Sequence, residues 1–193
     1  MAVPAFHGNT FVAFTDISGF KAMMNDGERA VLALDAFYQS GYSVLRQERQ
    51  RANHRPMVHG FFVSDCAVLF VTDPNLSPLD RFQVLCSVLQ QIHRRTFQKA
   101  IQLTTSIAWG QFDYEERIEF LGINKDAIYG GAYVDAFMDN EHTLPKLYPN
   151  ECRLLRKDLP VEVERFCVEK IGPVGQHIRQ TQAHFYYEWM REL

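Results

Sequence analysis

The stretch TFVAFTDISGFKAMM, Thr10 to Met24, decides how the rest of the chain is read. Phe11 to Thr15 is β-rich and apolar on both faces, as expected of a central strand. The run ends on Asp16, and a Ser-Gly pair follows almost at once, as at the start of a helix. A carboxylate at the mouth of a strand-to-helix junction raises the question of what it faces. From Gly27 to Gln50 the period becomes helical, with Val31, Leu34, Phe37 or Tyr38, Gly41 and Leu45 on one face. Pro56 breaks the chain. Two strand-like runs follow, MVHGFFV (57–63) and CAVLFVT (66–72), separated only by Ser64 and Asp65, which predicts a hairpin with an aspartate at its tip.

Farther along, PNLSPLD supplies turn and N-cap residues for a helix over Leu79 to Gln98, with Phe82, Leu85, Leu89 and Ile92 on its buried stripe. LTTSIAWG (103–110) alternates as a strand, and RIEFLGI (117–123) reads as another. GGAYVDAFMDN (130–140) reads as a short helix reached through a glycine turn. In the tail, VEVERFCVEK (161–170) and QTQAHFYYEW (180–189) both read as strands. The expected order is β-α-β-β-α-β with additional elements, the ferredoxin-like split βαβ arrangement of an α+β protein, with residues 1–193 as one domain. In that topology the first strand and the hairpin lie side by side, so Asp16 and the Ser64–Asp65 tip come close together.

Bulk properties exclude several classes. A formal net charge of −3 gives no reason to expect a nucleic-acid surface. The arginines of RQERQRANHR (46–55) are interrupted by glutamine and glutamate and read as a solvated helix end. No apolar run approaches the ~20 residues of a membrane span, and MAVPAFHG lacks the basic and apolar regions of a signal peptide. Cys66, Cys86, Cys152 and Cys167 are scattered without CxxC spacing, which predicts reduced thiols in a cytoplasmic protein and no zinc site. His54, His59, His93 and His184 stand singly and read as surface or core residues. No GxGxxG or P-loop occurs.

Taken singly, Asp16 reads as an N-cap and Asp65 as a turn residue. Together they read as a pair. Two acids held close repel unless a proton or cation sits between them. Hard cations such as Mg²⁺ and Mn²⁺ take carboxylate oxygens together with substrate phosphates. Ile17, Ser18, Gly19 and Phe20 follow as the start of a helix, whose free N–H groups suit a triphosphate.

These motifs resemble the catalytic domains of class III nucleotidyl cyclases. FVAFTDISGF is similar to their first metal motif, and GFFVSDCAVLF to their second, with Ser64 in place of the usual glycine. LTTSIAWG and IYGGAYVDAF are similar to the later strand and to the glycine turn that opens the catalytic helix, so the match runs in order from about residue 10 to 140. The resemblance implies that Asp16, Asp65 and the backbone carbonyl of Ile17 hold two Mn²⁺ or Mg²⁺ ions. Ser18, Gly19 and Phe20 would take the triphosphate. It also implies a homodimer with active sites between subunits.

The departures from the family pattern carry information. Phe61 stands where purine-using cyclases carry a base-reading lysine or glutamate, and Ala127 stands at the second base-reading position. Counting from Gly130, Val134 and Met138 occupy the places of the expected asparagine and arginine. Either the register slips, with Asp135 and Asn140 near, or another cation such as Lys125, Arg117 or a residue of the tail serves. The chain resembles the small stand-alone cyclases of the Pycsar antiphage system. That resemblance implies conversion of UTP or CTP, with UTP favoured, to a cyclic nucleotide that activates a separate effector. Phe61 would then narrow the base pocket and offer a stacking surface. A cytidylate cyclase, a purine cyclase, a silent dimerisation or nucleotide-sensing module and a polymerase-palm-like transferase remain as alternatives.

Overall fold

The computed structural model describes residues 5–51, 57–119, 123–170 and 178–187. Its first strand, β1 (Phe6–Ile17), is the spine of the sheet, and its run of buried residues explains the two-faced apolar sequence. A four-residue helix α1 (Phe20–Met23) and the long helix α2 (Gly27–Arg51) follow. The hairpin β2 (Val58–Val63) and β3 (Cys66–Val71) comes next, then helix α3 (Pro78–Phe97). Strands β4 (Leu103–Glu119) and β5 (Ile123–Tyr129) lead to helix α4 (Gly131–His142). The chain continues through β6 (Cys152–Leu155), helix α5 (Val161–Glu169), β7 (Ile178–Gln180) and β8 (His184–Tyr187).

The sheet order is β2-β3-β1-β4-β6-β8-β7, with β5 paired to β4. Its first four strands reproduce the expected split βαβ order, with β1 antiparallel to both β3 and β4. Alternation sorts the sheet into two faces. Phe11, Ala13 and Ile17 join Phe37, Phe82, Leu85, Leu89 and Ile92 in the core beneath α2, α3 and α5. Val12, Phe14, Val68, Phe70, Phe112 and Tyr114 face α4 through Ala132 and Ala136. No described helix is long and apolar enough to cross a membrane.

Several expectations are corrected. VEVERFCVEK is not a strand but α5: Val163 and Cys167, four residues apart, are buried, and Glu162 and Glu164 sit in the first turn. The alternating Val-Glu-Val-Glu mimics a period of two only at the start of the segment. RIEFLGI is not a separate strand; 117–119 closes β4, β5 begins at Ile123, and 120–122 lie outside the described residues. The buried stripe of α2 runs through Ala30, Ala33, Ala36, Phe37, Ser40, Gly41 and Val44, so Val31 is left exposed. Small residues win that face because Gly41 lies against Phe62: a Cβ there would come within 2.1 Å of its ring. Strand β6 carries no alternating signal, and its Arg153 is wholly buried.

Candidate active site

The site begins where three strands lie in register. Asp16 on β1 stands opposite Cys66 on β3 and Thr104 on β4. Cross-strand partners point the same way. The three side chains therefore form a row on the α4 face of the sheet, continuing the line of Val12 and Phe14.

Asp65 reaches this row through the hairpin tip. Val63 pairs with Cys66, leaving Ser64 and Asp65 as a two-residue loop. Ser64 takes a left-handed conformation, φ 53°, where a glycine would be relaxed. Two bonds fix the tip: Tyr38 Oη donates to the Ser64 carbonyl at 2.9 Å, and the Ile17 amide donates to the Asp65 carbonyl at 3.0 Å. The second bond ties the tip to the residue just after Asp16. As a result, one oxygen each of Asp16 and Asp65 and the sulfur of Cys66 lie within 4.8 Å of one another.

The electrostatics are those of crowded acids. Burial, then the charges of Asp65 and Glu141, push the Asp16 carboxyl up to about 7, against the opposing hydrogen bond from the Ile17 amide. Burial and the charges of Asp65, Asp16 and Glu141 raise the Cys66 thiol to about 11. A site that resists its own negative charge this strongly is suited to a cation, and a pair of carboxylates suits a hard ion such as Mg²⁺ or Mn²⁺.

Beyond Ile17 the chain turns through Gly19, φ 76°, into α1. The Ser18 amide donates to the Gln102 carbonyl at 2.9 Å, so it is committed to the fold. The Gly19 and Phe20 amides have no backbone acceptor among the described residues. Of the predicted triphosphate ligands, these two offer open N–H groups.

Helix α4 starts at Gly130, φ 124°, where an added Cβ would come within 2.5 Å of the Gln111 carbonyl. Only glycine fits that junction. Val134 and Met138 are exposed on the helix, 51% and 46%. Asp135 pairs with Lys157 Nζ at 2.9 Å. Asp139 is buried between Arg153 Nε at 2.5 Å and His184 Nε2 at 2.8 Å. Burial would raise the Asp139 carboxyl, but the bonds from His184 and Arg153 and the arginine's charge outweigh it and hold it below its usual range. Asn140 Oδ1 accepts from Thr104 Oγ1 at 3.5 Å, which brings the end of α4 alongside Asp16. Residues 131–142 contain neither lysine nor arginine, so no slip of register restores an arginine on this helix. Arg153 is committed to Asp139. The side chains of Arg117 and Lys125 lie outside the described residues, as do His54 and, in the tail, residues 171–177 and 188–193.

Phe61 lies on the α4 face, two residues along β2 from Val63. Its ring stacks on Phe70 at 5.7 Å and packs on Tyr114 at 4.9 Å. Ala127 stands across from Glu115 on β4, on the opposite face of the β4–β5 ribbon from Ile128 and Tyr114. His59, His93 and His184 are buried structural residues, as expected: His59 packs on Phe70, His93 bonds Thr105 and His184 bonds Asp139. All four cysteines are free thiols. Sequence reasoning missed two site residues. Cys66 was recoverable by carrying the hairpin register one strand farther, to Asp16. Glu141 carried no signal, since its approach depends on the length and docking of α4.

No family model matches the chain, and no curated protein matches it. Solved structures do. The guanylyl cyclase domain of the RhoGC fusion protein from the aquatic fungus Blastocladiella emersonii superimposes with TM-score 0.65 at 12% identity, covering 96% of this chain and 97% of that one. The guanylate cyclase domain of RhGC from Catenaria anguillulae, solved in complex with GTP, gives 0.61 at 11% identity, with 96% and 97% covered. A bacterial light-regulated adenylyl cyclase gives 0.56 at 12% identity, with 96% of this chain matching 52% of that one. At this identity the likeness establishes the fold: the chain has the architecture of cyclase catalytic domains.

Proposed function

We propose that this chain is a class III nucleotidyl cyclase that converts UTP to 3′,5′-cyclic UMP and pyrophosphate, using two Mn²⁺ or Mg²⁺ ions held by Asp16, Asp65 and the Ile17 carbonyl. The observation that carries the reading is the juxtaposition of Asp16 and Asp65, from separate elements, on a cyclase-type sheet. When bound, the metal pair supplies Lewis-acid activation of the ribose 3′-hydroxyl and neutralises charge on the α-phosphate. The chain's own residues do the positioning. Asp16 and Asp65 supply the negative charge for the ions, and the bond from the Ile17 amide to the Asp65 carbonyl keeps their separation short. The Gly19 and Phe20 amides, just past the metal residues, receive the triphosphate and the departing pyrophosphate.

Phe61, supported by Phe70 and Tyr114, presents an apolar ring surface on the same face as Asp16. A small base stacked on that surface needs no purine-reading carboxylate or ammonium, which favours a pyrimidine. Val134 and Met138 expose apolar surface on α4, which supports a homodimer closing two sites between subunits. In this reading the product is a second messenger of bacterial antiphage defence, acting in the cytoplasm on a separate effector. The test is incubation of the purified chain with Mn²⁺ and each of ATP, GTP, CTP and UTP, with cyclic products identified by mass spectrometry. The expected result is cyclic UMP, absent with Asp65→Ala. Cyclic CMP alone would reassign the base, a purine product would overturn the reading of Phe61, and no product in any tube, with or without infected-cell lysate, would identify a silent module.

A further inference from the structure

Helix α2 buries one side in the core, and its opposite side is a continuous exposed strip. Glu28, Leu32, Asp35, Gln39, Tyr42 and Arg46 are all exposed. They recur at steps of four and three residues, the spacing with which one helix presents a seam to another. Val31 flanks the strip, and Val31, Leu32 and Tyr42 stand 57%, 62% and 52% open to solvent. The strip is polarised along its length, with Glu28 and Asp35 in its first half and Arg46 in its second. Arg29 and Glu48, which carry the opposite charge in each half, fall on other sides of the helix. Among the described residues, no ion pair engages Glu28, Asp35 or Arg46. We infer that this strip is a self-association face, on which α2 of a second copy of the chain packs antiparallel across a twofold axis.

The charge order selects both the occupant and its direction. A twofold axis midway between Asp35 and Arg46, level with Ser40 and Gly41, sets Asp35 against Arg46 of the second copy and Arg46 against its Asp35. Gln39 and Tyr42 then cross at the centre. At ~1.5 Å per residue the two charge pairs stand about 16 Å apart along the helix, so each acts on its own. A parallel arrangement would set Asp35 beside Asp35 and Arg46 beside Arg46, and is repelled. Tyr42 is already braced: its ring packs on Phe62 at 5.0 Å and on Tyr38 at 6.0 Å, so association freezes little of its motion. Helix α2 covers the face of the sheet that lies away from α4. The contact is therefore separate from the apolar surface of α4 and does not rest on the cyclase reading. A chain that uses both surfaces assembles beyond a dimer.

The experiment follows the mass of the full chain by sedimentation velocity and light scattering. It compares the wild type with Asp35→Arg, with Arg46→Asp and with the double variant that carries both, and circular dichroism confirms that each folds. The wild type should associate, and less tightly as salt rises from about 0.05 to about 0.5 M. Each single reversal sets like charges together at both ends of the contact and should lower the association constant about tenfold or more. The double variant should restore it, because the pairs are exchanged but still opposite. An equimolar mixture of the two single variants should also restore it, since one chain then offers two carboxylates and the other two guanidinium groups. A folding defect cannot produce that recovery. The series is repeated in a Met138→Asp background, which disables the α4 surface, and the same ranking should hold. A chain that stays monomeric in that background would overturn the inference and leave the face to a different protein. Single reversals that leave the mass unchanged, or a double variant and a mixture that fail to recover, would overturn it as well.

Discussion

The protein should gain stability in the absence of divalent metal when the Asp16 carboxylate is neutralised. Asp16 stands with a carboxyl raised from 3.8 to about 7 by burial, by Asp65 and by Glu141. Between those values the folded chain binds more protons than the unfolded chain, so stability falls as pH rises through this window and the loss is complete above about pH 7. A shift of this size corresponds to about 4 kcal/mol at most. Asp16 is only partly buried, and solvent relieves much of that penalty, which leaves roughly 1–2 kcal/mol. Asp16→Asn keeps the shape and removes the charge. In chelator at pH 8 the variant should melt roughly 2–8 °C above the wild type, by differential scanning calorimetry. The gap should narrow as the pH is lowered toward 4. Saturating Mn²⁺ should reverse the order, because the wild type gains binding energy that the variant cannot. A variant less stable than the wild type in chelator at pH 8 would refute the reasoning: the carboxylate would then be making net favourable contacts, as a simple cap or turn residue does.

Three further outcomes follow from the same geometry. Ser64→Gly relieves a left-handed backbone at the hairpin tip while keeping the bond from Tyr38, which goes to the backbone carbonyl; thermal melting should show a gain of about 1 kcal/mol. Gly130→Ala drives a methyl into the Gln111 carbonyl and Phe112 backbone, so chemical denaturation should show a loss of about 2 kcal/mol or more. Arg153→Ala leaves Asp139 charged, buried and short of a partner, and should cost about 3–5 kcal/mol in the same assay; the double variant Arg153→Met with Asp139→Leu should recover part of it, the remainder being the buried His184 imidazole left without Asp139.

What the sequence disclosed depended on whether a residue's role was set by its neighbours in the chain or by distant ones. The β1 run, the two-residue hairpin and the stripe of α3 are local patterns, and each lies where its period predicted. Their order then carried the nonlocal result, because a split βαβ sheet places the hairpin's returning strand, β3, beside β1, and with it Asp65 beside Asp16. Where a local period was ambiguous, tertiary packing decided against it. Four alternating residues at the head of α5 read as a strand until Val163 and Cys167 found the same core, and on α2 Phe37 and Gly41 lie on the expected buried face, where alanines join them and Val31 is left exposed. Arg153 had no local rationale at all: a charged side chain inside a strand is tolerated only because Asp139, on a helix that the sequence places separately, arrives to meet it.

The same distinction bears on the missing cation. An arginine on α4 would be a local feature, and its absence from residues 131–142 is complete whatever the register. The two positions at issue, Val134 and Met138, are exposed and apolar, whereas the acids between and beside them are each met by a cation or imidazole from another element: Asp135 by Lys157, Asp139 by Arg153 and His184. The helix therefore imports its positive charge through tertiary contacts, and its free face is built for packing. On the proposed cyclase reading, a charge that steadies the phosphate must reach the site from outside α4, so the chemistry proposed for the site depends on how other elements, or a second copy of the chain, dock against it.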